Sequence, residues 1–336
     1  MITRTLGRTG PEVSALGLGC MGMSDLYGPA DRAESLATIH AALEAGITLL
    51  DTGDFYGMGH NELLIREAIA GRARESVVIS VKFGALRDTK GAWLGVDGRP
   101  AAVKSFLAYT LRRLDTDYVD VYRLTRLDPA VPIEDTVGAI AEMVQAGHVR
   151  HVGLSEVGAA TMRRAQAVHP VSDLQIEYSL FSRGIEEEIL PTARELGIGI
   201  TAYGVLSRGL LSGRWSKERT TGPGDIRSHL PRFGADGLVQ NLALVEALRA
   251  VAQEKGLTVA RAAVAWVLSR GTDIVPLIGA RSRGQLDEAL GVLDAHVTPD
   301  DLAAIEGAAP ASAVAGDRYP AVQMAHLDSE RGSSQG

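Results

Sequence analysis

Cysteine is almost missing from this chain. Cys20 stands alone among 336 residues, so no intrachain disulfide can form, and a reducing, cytoplasmic location is expected. Long apolar runs are missing as well. Met1–Gly7 lacks the hydrophobic stretch of a secretory signal. Val259–Leu268 carries Arg261 and is too short to span a bilayer, so no membrane partner is expected. Positive charge is not in excess: the formal net charge of −7 argues against a nucleic-acid or anionic-membrane surface and leaves room only for a local basic pocket. The histidines are scattered and no Cys/His group has ligand spacing, so no metal site is expected.

What is present is material for a large core. Hydrophobic residues make up 46% and charged residues 22%, which excludes a disordered chain. Short β-branched runs alternate with longer helical stretches. Ser14–Leu18, Thr48–Asp51, Val77–Val81, Tyr118–Leu124, Val149–Ser155, Leu174–Glu177, Ile198–Tyr203 and Ile274–Ile278 read as eight strands. Helices are expected over Asp31–Ala45, Asn61–Ala70, Ile133–Ala146 and Glu186–Leu196, with Asp31 as a cap and Gly46 at a stop. Strand–helix alternation implies parallel strands with crossover helices. Eight units imply an α/β fold, a (β/α)₈ TIM barrel, with an open doubly wound sheet as the competing architecture. Residues 2–15 read as a hairpin at the barrel bottom, Ser207–Asn241 as a long loop, and Asp328–Gly336 as a mobile polar end. The expected organisation is one barrel domain over residues 1–310, followed by a tail, 311–336, partly ordered over the barrel mouth.

Gly17-Leu18-Gly19-Cys20-Met21-Gly22 matches the glycine fingerprint of dinucleotide-binding folds. That fingerprint requires a helix opening at its glycines. Ser24-Asp25-Leu26-Tyr27-Gly28-Pro29 follows instead and cannot continue as a helix, so the glycines are read as a turn at the end of strand one.

Function in a (β/α)₈ barrel concentrates at the C-terminal strand ends. There stand Asp51, Tyr56 just beyond it, and Lys82. Each has an ordinary reading: a strand cap, an exposed loop aromatic, a solvated lysine. Together they suggest a proton donor with its tuners. A free tyrosine has a pKa of about 10; a nearby ammonium would lower it, and a carboxylate would keep that ammonium charged.

These residues resemble the aldo-keto reductases. The resemblance is carried by Gly19-Cys20-Met21-Gly22-Met23-Ser24, Asp51-Thr52-Gly53-Asp54-Phe55-Tyr56-Gly57, Lys82-Phe83-Gly84, Gln175-Ile176-Glu177-Tyr178-Ser179-Leu180 and Ile274-Val275-Pro276-Leu277-Ile278-Gly279. It runs from about Thr3 to Pro310 and is closest to the bacterial pyridoxal-reductase-like branch. It implies a catalytic tetrad of Asp51, Tyr56, Lys82 and a histidine. The histidine belongs in a stretch of the form Tyr-x-x-His-Arg-x-Asp-Pro, and here Tyr122–Pro129 places Thr125 at that position. Threonine cannot titrate, and it is smaller than an imidazole. Arg123 shares strand parity with Thr125; inside the barrel it would need a carboxylate partner, and otherwise it points to solvent.

The resemblance also implies a nicotinamide cofactor. Gly22 and Met23 would lie beside it, Ser155 and Gln175 would hold its carboxamide, and Tyr203 would stack on its ring. Leu206 and Arg208 match the loop that embraces the pyrophosphate. Gly279, Arg281, Gln285 and Glu288 match the adenosine end, where Ala289 replaces a usual asparagine. Arg281, just before a helix start near Gly284, fits a 2′-phosphate, which points to NADPH. The expected activity is reduction of a carbonyl, or of a conjugated C=C or imine, on a small molecule. The alternative is a nicotinamide-binding sensor with little turnover, because Thr125 replaces the histidine.

Overall fold

The computed structural model describes residues 1–24 and 26–331. The chain opens with an antiparallel hairpin, β1 (Thr3–Thr5) and β2 (Glu12–Ser14). The barrel strands β3 (Gly17–Gly19), β4 (Leu49–Gly53) and β5 (Val78–Phe83) follow. A second hairpin, β6 (Ala85–Arg87) and β7 (Trp93–Val96), projects after β5. The barrel then resumes with β8 (Val119–Leu124), β9 (Val149–Ser155), β10 (Val171–Glu177), β11 (Gly199–Tyr203) and β12 (Ile274–Gly279). All eight barrel strands pair in parallel, and β12 closes on β3 through Leu277–Gly17, Ile278–Leu18 and Gly279–Gly19. The chain thus forms a closed (β/α)₈ barrel; the open sheet is excluded.

Helices α1 (Arg32–Glu44), α2 (His60–Ala68), α3 (Pro100–Leu114), α4 (Ile133–Gln145), α5 (Ala159–Val168) and α6 (Ile189–Leu196) cover the outside. So do α7 (Ala235–Glu254), α8 (Val259–Ser269), α9 (Arg283–Leu290) and α10 (Pro299–Ala308). Local chemistry sets their ends. The Asp31 carboxylate accepts from the Glu34 amide at 2.7 Å, as an N-cap should. Gly197 ends α6 with φ +73, a conformation that penalises any Cβ. The expected loop Ser207–Asn241 is shorter than its composition suggested. It ends at Gly234, because 235–254 continues as α7 despite Gly237.

Side chains alternate across each strand. Those facing the helices, among them Leu18, Leu50, Ile79, Val81, Phe83, Leu174, Ile176 and Ile278, build the main apolar core. Inside, the barrel is layered. Its floor is apolar: Leu49, Val275 and Leu277 pack on Leu6 and Val13 of the N-terminal hairpin, which closes the bottom. Above the floor the interior turns polar, and the site begins. The misleading glycine fingerprint lies on β3 and a one-turn 3₁₀ helix, Met21–Met23; the next α-helix starts only at Arg32.

The chain beyond α10 crosses the barrel mouth. Within Asp328–Gly336, expected as a mobile end, residues 328–330 form a 3₁₀ turn, and the Asp328 carboxylate accepts from the Gly158 amide at 2.8 Å. Residues 332–336 lie outside the described residues.

Candidate active site

Three strand ends bring Asp51, Lys82 and Gln175 together. Lys82 Nζ donates to Asp51 Oδ2 at 2.5 Å. The other oxygen, Oδ1, accepts from Gln175 Nε2 at 2.7 Å and from Ser80 Oγ at 3.1 Å. Both members of the pair are buried. Tyr56 follows β4 on a tight 3₁₀ turn and is 5% exposed, so it is not a solvent-facing loop aromatic. Its ring centroid lies 5.3 Å from Lys82 Nζ. Phe55 packs edge-on to Tyr56 at 4.7 Å, and Trp93 of the second hairpin packs on Phe55 at 6.4 Å, so an aromatic wall flanks the phenol. Thr125 directly follows β8, buried, with its amide donating to the Phe83 carbonyl at 2.8 Å.

Burial pushes the Tyr56 phenol well above its ordinary value, and the Asp51 charge pushes the same way; Arg126 and Arg208 oppose. Lys82 shifts the other way. Burial draws it down to about 8, with Arg123 and Arg126 adding to the fall, and the Asp51 carboxylate only partly restores it. A carboxylate in contact cannot offset the loss of hydration at both partners.

Arg123 points inward. It is fully buried, and Asp173 on β10 is its carboxylate, so the solvent-facing reading is excluded. Asp173 had not been singled out, although the need for a carboxylate partner to Arg123 was the signal that could have found it.

The other predicted residues spread from the mouth toward α9. Ser155 ends β9, and its Oγ is buried with no hydrogen-bond partner among the described residues. Gln175 is engaged with Asp51 rather than turned outward. The Tyr203 hydroxyl donates to Glu156 Oε1 at 2.7 Å, and the Arg208 guanidinium lies 5.2 Å from the Tyr203 ring centre. Met23 is buried in the core, while Gly22 lies against the Arg281 side chain. Leu206 begins the turn that carries Arg208. Gly279 ends β12 with open space where a Cβ would stand. Arg281 donates to the backbone carbonyls of Tyr27 at 2.9 Å and of Pro29. The Gln285 side-chain oxygen accepts from the Arg281 amide at 2.7 Å. Glu288 is turned to the Thr258 hydroxyl at 2.5 Å, on the N-cap of α8.

Composition gave no hint of the ring of charge above the mouth. Arg318 and Tyr319, from the tail, sit among Glu156, Tyr203 and Arg208, and the Arg208 guanidinium donates to the Tyr319 hydroxyl at 2.6 Å. Arg126 follows Thr125 and reaches the same hydroxyl at 3.4 Å. Glu177 takes Arg208 and Arg232 at 3.5 and 3.4 Å.

The closed (β/α)₈ barrel matches what the comparisons find. Residues 15–310 match the Aldo/keto reductase family. The chain belongs to the aldo/keto reductase family. It is 41% identical over 315 residues to the probable aldo-keto reductase 1 of Glycine max, covering 94% of this chain and 90% of that one. Among solved structures it is similar to the glycerol dehydrogenase AKR11B4 of Gluconobacter oxydans. That match has 30% identity and a TM-score of 0.82 over 91% of this chain and 94% of the other. It is also similar to the holo form of the aldo-keto reductase AKR11C1 of Bacillus halodurans, with 27% identity and a TM-score of 0.76 over 93% and 97% of the two chains. Aldo/keto reductases are oxidoreductases that use nicotinamide cofactors on small molecules. Among the described residues, no helix of this one is long and apolar enough to cross a membrane, and no His/Cys/Asp/Glu group could hold a metal ion.

Proposed function

We propose that this aldo/keto reductase reduces a carbonyl, or a conjugated C=C or imine, of a small molecule, with Tyr56 as proton donor. NADPH, when bound, would supply the hydride. The observation that carries this reading is the 2.5 Å Lys82–Asp51 contact with the Tyr56 ring beside it, at the strand ends where barrel enzymes work. The chain's part is to hold the phenol still and dry, to keep its proton on until a substrate oxygen or carbon takes it, and to place cations nearby.

For the cofactor, Ser155 and Gln175 would hold the carboxamide and Tyr203 the ring face. The buried, unpartnered Ser155 Oγ supports a fit, since such a group costs stability until something bonds it. Gly22, Leu206 and Arg208 would line the middle of the site, with Met23 packed in the core behind them and Gly279, Arg281, Gln285 and Glu288 at the adenosine end. Arg281 supports a 2′-phosphate, since its present partners are neutral backbone carbonyls that an anion would replace. The aromatic wall of Phe55 and Trp93 would flank the substrate.

A second reading is a nicotinamide-binding sensor with little turnover. It draws on Thr125, which puts no titratable group where the family has histidine, and on the Tyr56 phenol, which burial holds at high pKa. NADPH consumption against aldehydes, ketones, enones and imines, run beside Thr125→His, separates the two. Turnover by the parent with any class supports the reductase. A parent that binds NADPH but is inert throughout, beside a variant that reduces aldehydes, favours the sensor.

A further inference from the structure

Below the mouth of a (β/α)₈ barrel the interior layers are ordinarily branched aliphatic side chains. Here the interior beside Asp51 holds an ion pair. One Nη of Arg123 meets both carboxylate oxygens of Asp173, at 3.0 and 2.9 Å. The other Nη lies 3.5 Å from Asp51 Oδ1, and neither it nor Nε has a hydrogen-bond partner among the described residues.

The neighbouring strands are shaped to this pair. β9 contributes Gly153, where a Cβ would stand 2.8 Å from Arg123 Nε and 2.8 Å from Asp173 Oδ1. Thr201 on β11 donates to Asp173 Oδ2, and the Ser172 hydroxyl lies 3.3 Å from Oδ1. Four successive strands therefore build a cradle for one guanidinium whose spare donors lie against the carboxylate that carries Lys82. A buried arginine is tolerated only when held this way.

We infer that Arg123 is a positioning residue: anchored by Asp173, it gives Asp51 a second cation and so loosens the hold of that carboxylate on Lys82. The consequence for turnover rests on the reductase reading; the effect on Lys82 does not. The charged and titratable groups around Lys82 are Asp51 on β4, Arg123 on β8 with Asp173 behind it, Arg126 after β8, Tyr56 after β4 and Cys20 after β3. Asp51 draws the proton to Lys82. Arg123 and Arg126 repel it, and only Arg123 also touches Asp51.

The test is a titration of Lys82 by carbon-13 NMR in lysine-labelled protein. The chain has few lysines, Lys82, Lys90, Lys104, Lys217 and Lys255, and Lys82→Met assigns the signal. The parent midpoint is expected near 8. The double variant Arg123→Leu/Asp173→Leu removes both charges and strands neither; its midpoint is expected to rise by about one pH unit or more. Asp173→Asn removes the anchor and leaves the guanidinium to act on Asp51 and Lys82 alone, so its midpoint is expected to fall. The single variant changes shape least and decides by itself if the double variant does not fold. A midpoint that Asp173→Asn leaves at the parent value overturns the inference, as does a double variant that shifts it downward. The pH profile of NADPH consumption should follow the same directions. Absence of turnover would sink the reductase reading and leave the Lys82 result standing.

Discussion

Arg318 closes both of its Nη groups on the Glu156 carboxylate, at 2.9 and 2.6 Å, and so ties the tail to the end of β9. Arg318→Ala should lower stability by about 3 kcal/mol, the scale for stranding a buried charge. Burial alone would raise the Glu156 pKa, but Arg318, with Arg126 and the Tyr203 hydroxyl, holds it well below the carboxylate range. A depressed carboxylate stabilises the fold above its unfolded pKa, about 4.3, and that stabilisation fades as pH falls through the folded value. Removing Arg318 should therefore move the acid-unfolding midpoint to higher pH, as read by tryptophan fluorescence. An unchanged acid midpoint would mean that the junction contributes nothing.

Asp54 carries the opposite shift. Burial, with the Glu62 charge beside it, pushes its carboxyl up to about 8 against Arg113 and the amides of Gly84 and Phe55. The folded state then holds a proton that the unfolded state releases near pH 3.9, so stability declines as pH rises from about 4 to 8. Asp54→Asn should flatten that decline and should be as stable as the parent, or more so, at pH 8. Urea denaturation at pH 5 and pH 8 measures both slopes; parallel slopes in parent and variant would refute the assignment.

Gly153→Ala tests the cradle around the internal ion pair. The new methyl would stand 2.8 Å from Arg123 Nε and Asp173 Oδ1, with Val121 equally close and no flexible end to yield. Overpacking of this kind costs about 1–3 kcal/mol. Thermal unfolding should show the loss, and a variant as stable as the parent would mean that the pair has room to shift.

Tyr56→Phe removes the proposed proton donor and keeps the ring that packs on Phe55. Turnover should fall by about 100-fold or more, while NADPH affinity, followed by fluorescence, stays near the parent value. Retained turnover would assign the proton to another group, and lost binding would make Tyr56 part of the cofactor site.

Much of this molecule was legible in one sequence because its signals are local. Asp31 caps α1 through its own side chain three residues on, and Gly197 stops α6 through its own φ. The run Val149–Ser155 is a strand with those bounds, because alternation and β-branching act within a few residues. Asp51, Tyr56 and Lys82 lie close together because they stand at or just beyond the ends of neighbouring strands, β4 and β5. The loop before α7 is shorter than its Gly, Arg and Pro content implies, because packing of α7 on α8 and α10 overrides local preference.

The sequence by itself determined the fold class and the placing of Asp51, Lys82 and Thr125 at or just beyond strand ends. Each is a matter of residue type and spacing along one chain. Only the tertiary structure decided which charges meet. Arg123 found Asp173 fifty positions away, Arg318 found Glu156 across the mouth, and Lys82 lost its hydration beside Asp51. Pairing and desolvation are set by distance in space and by exclusion of water, and neither quantity exists until the barrel has closed.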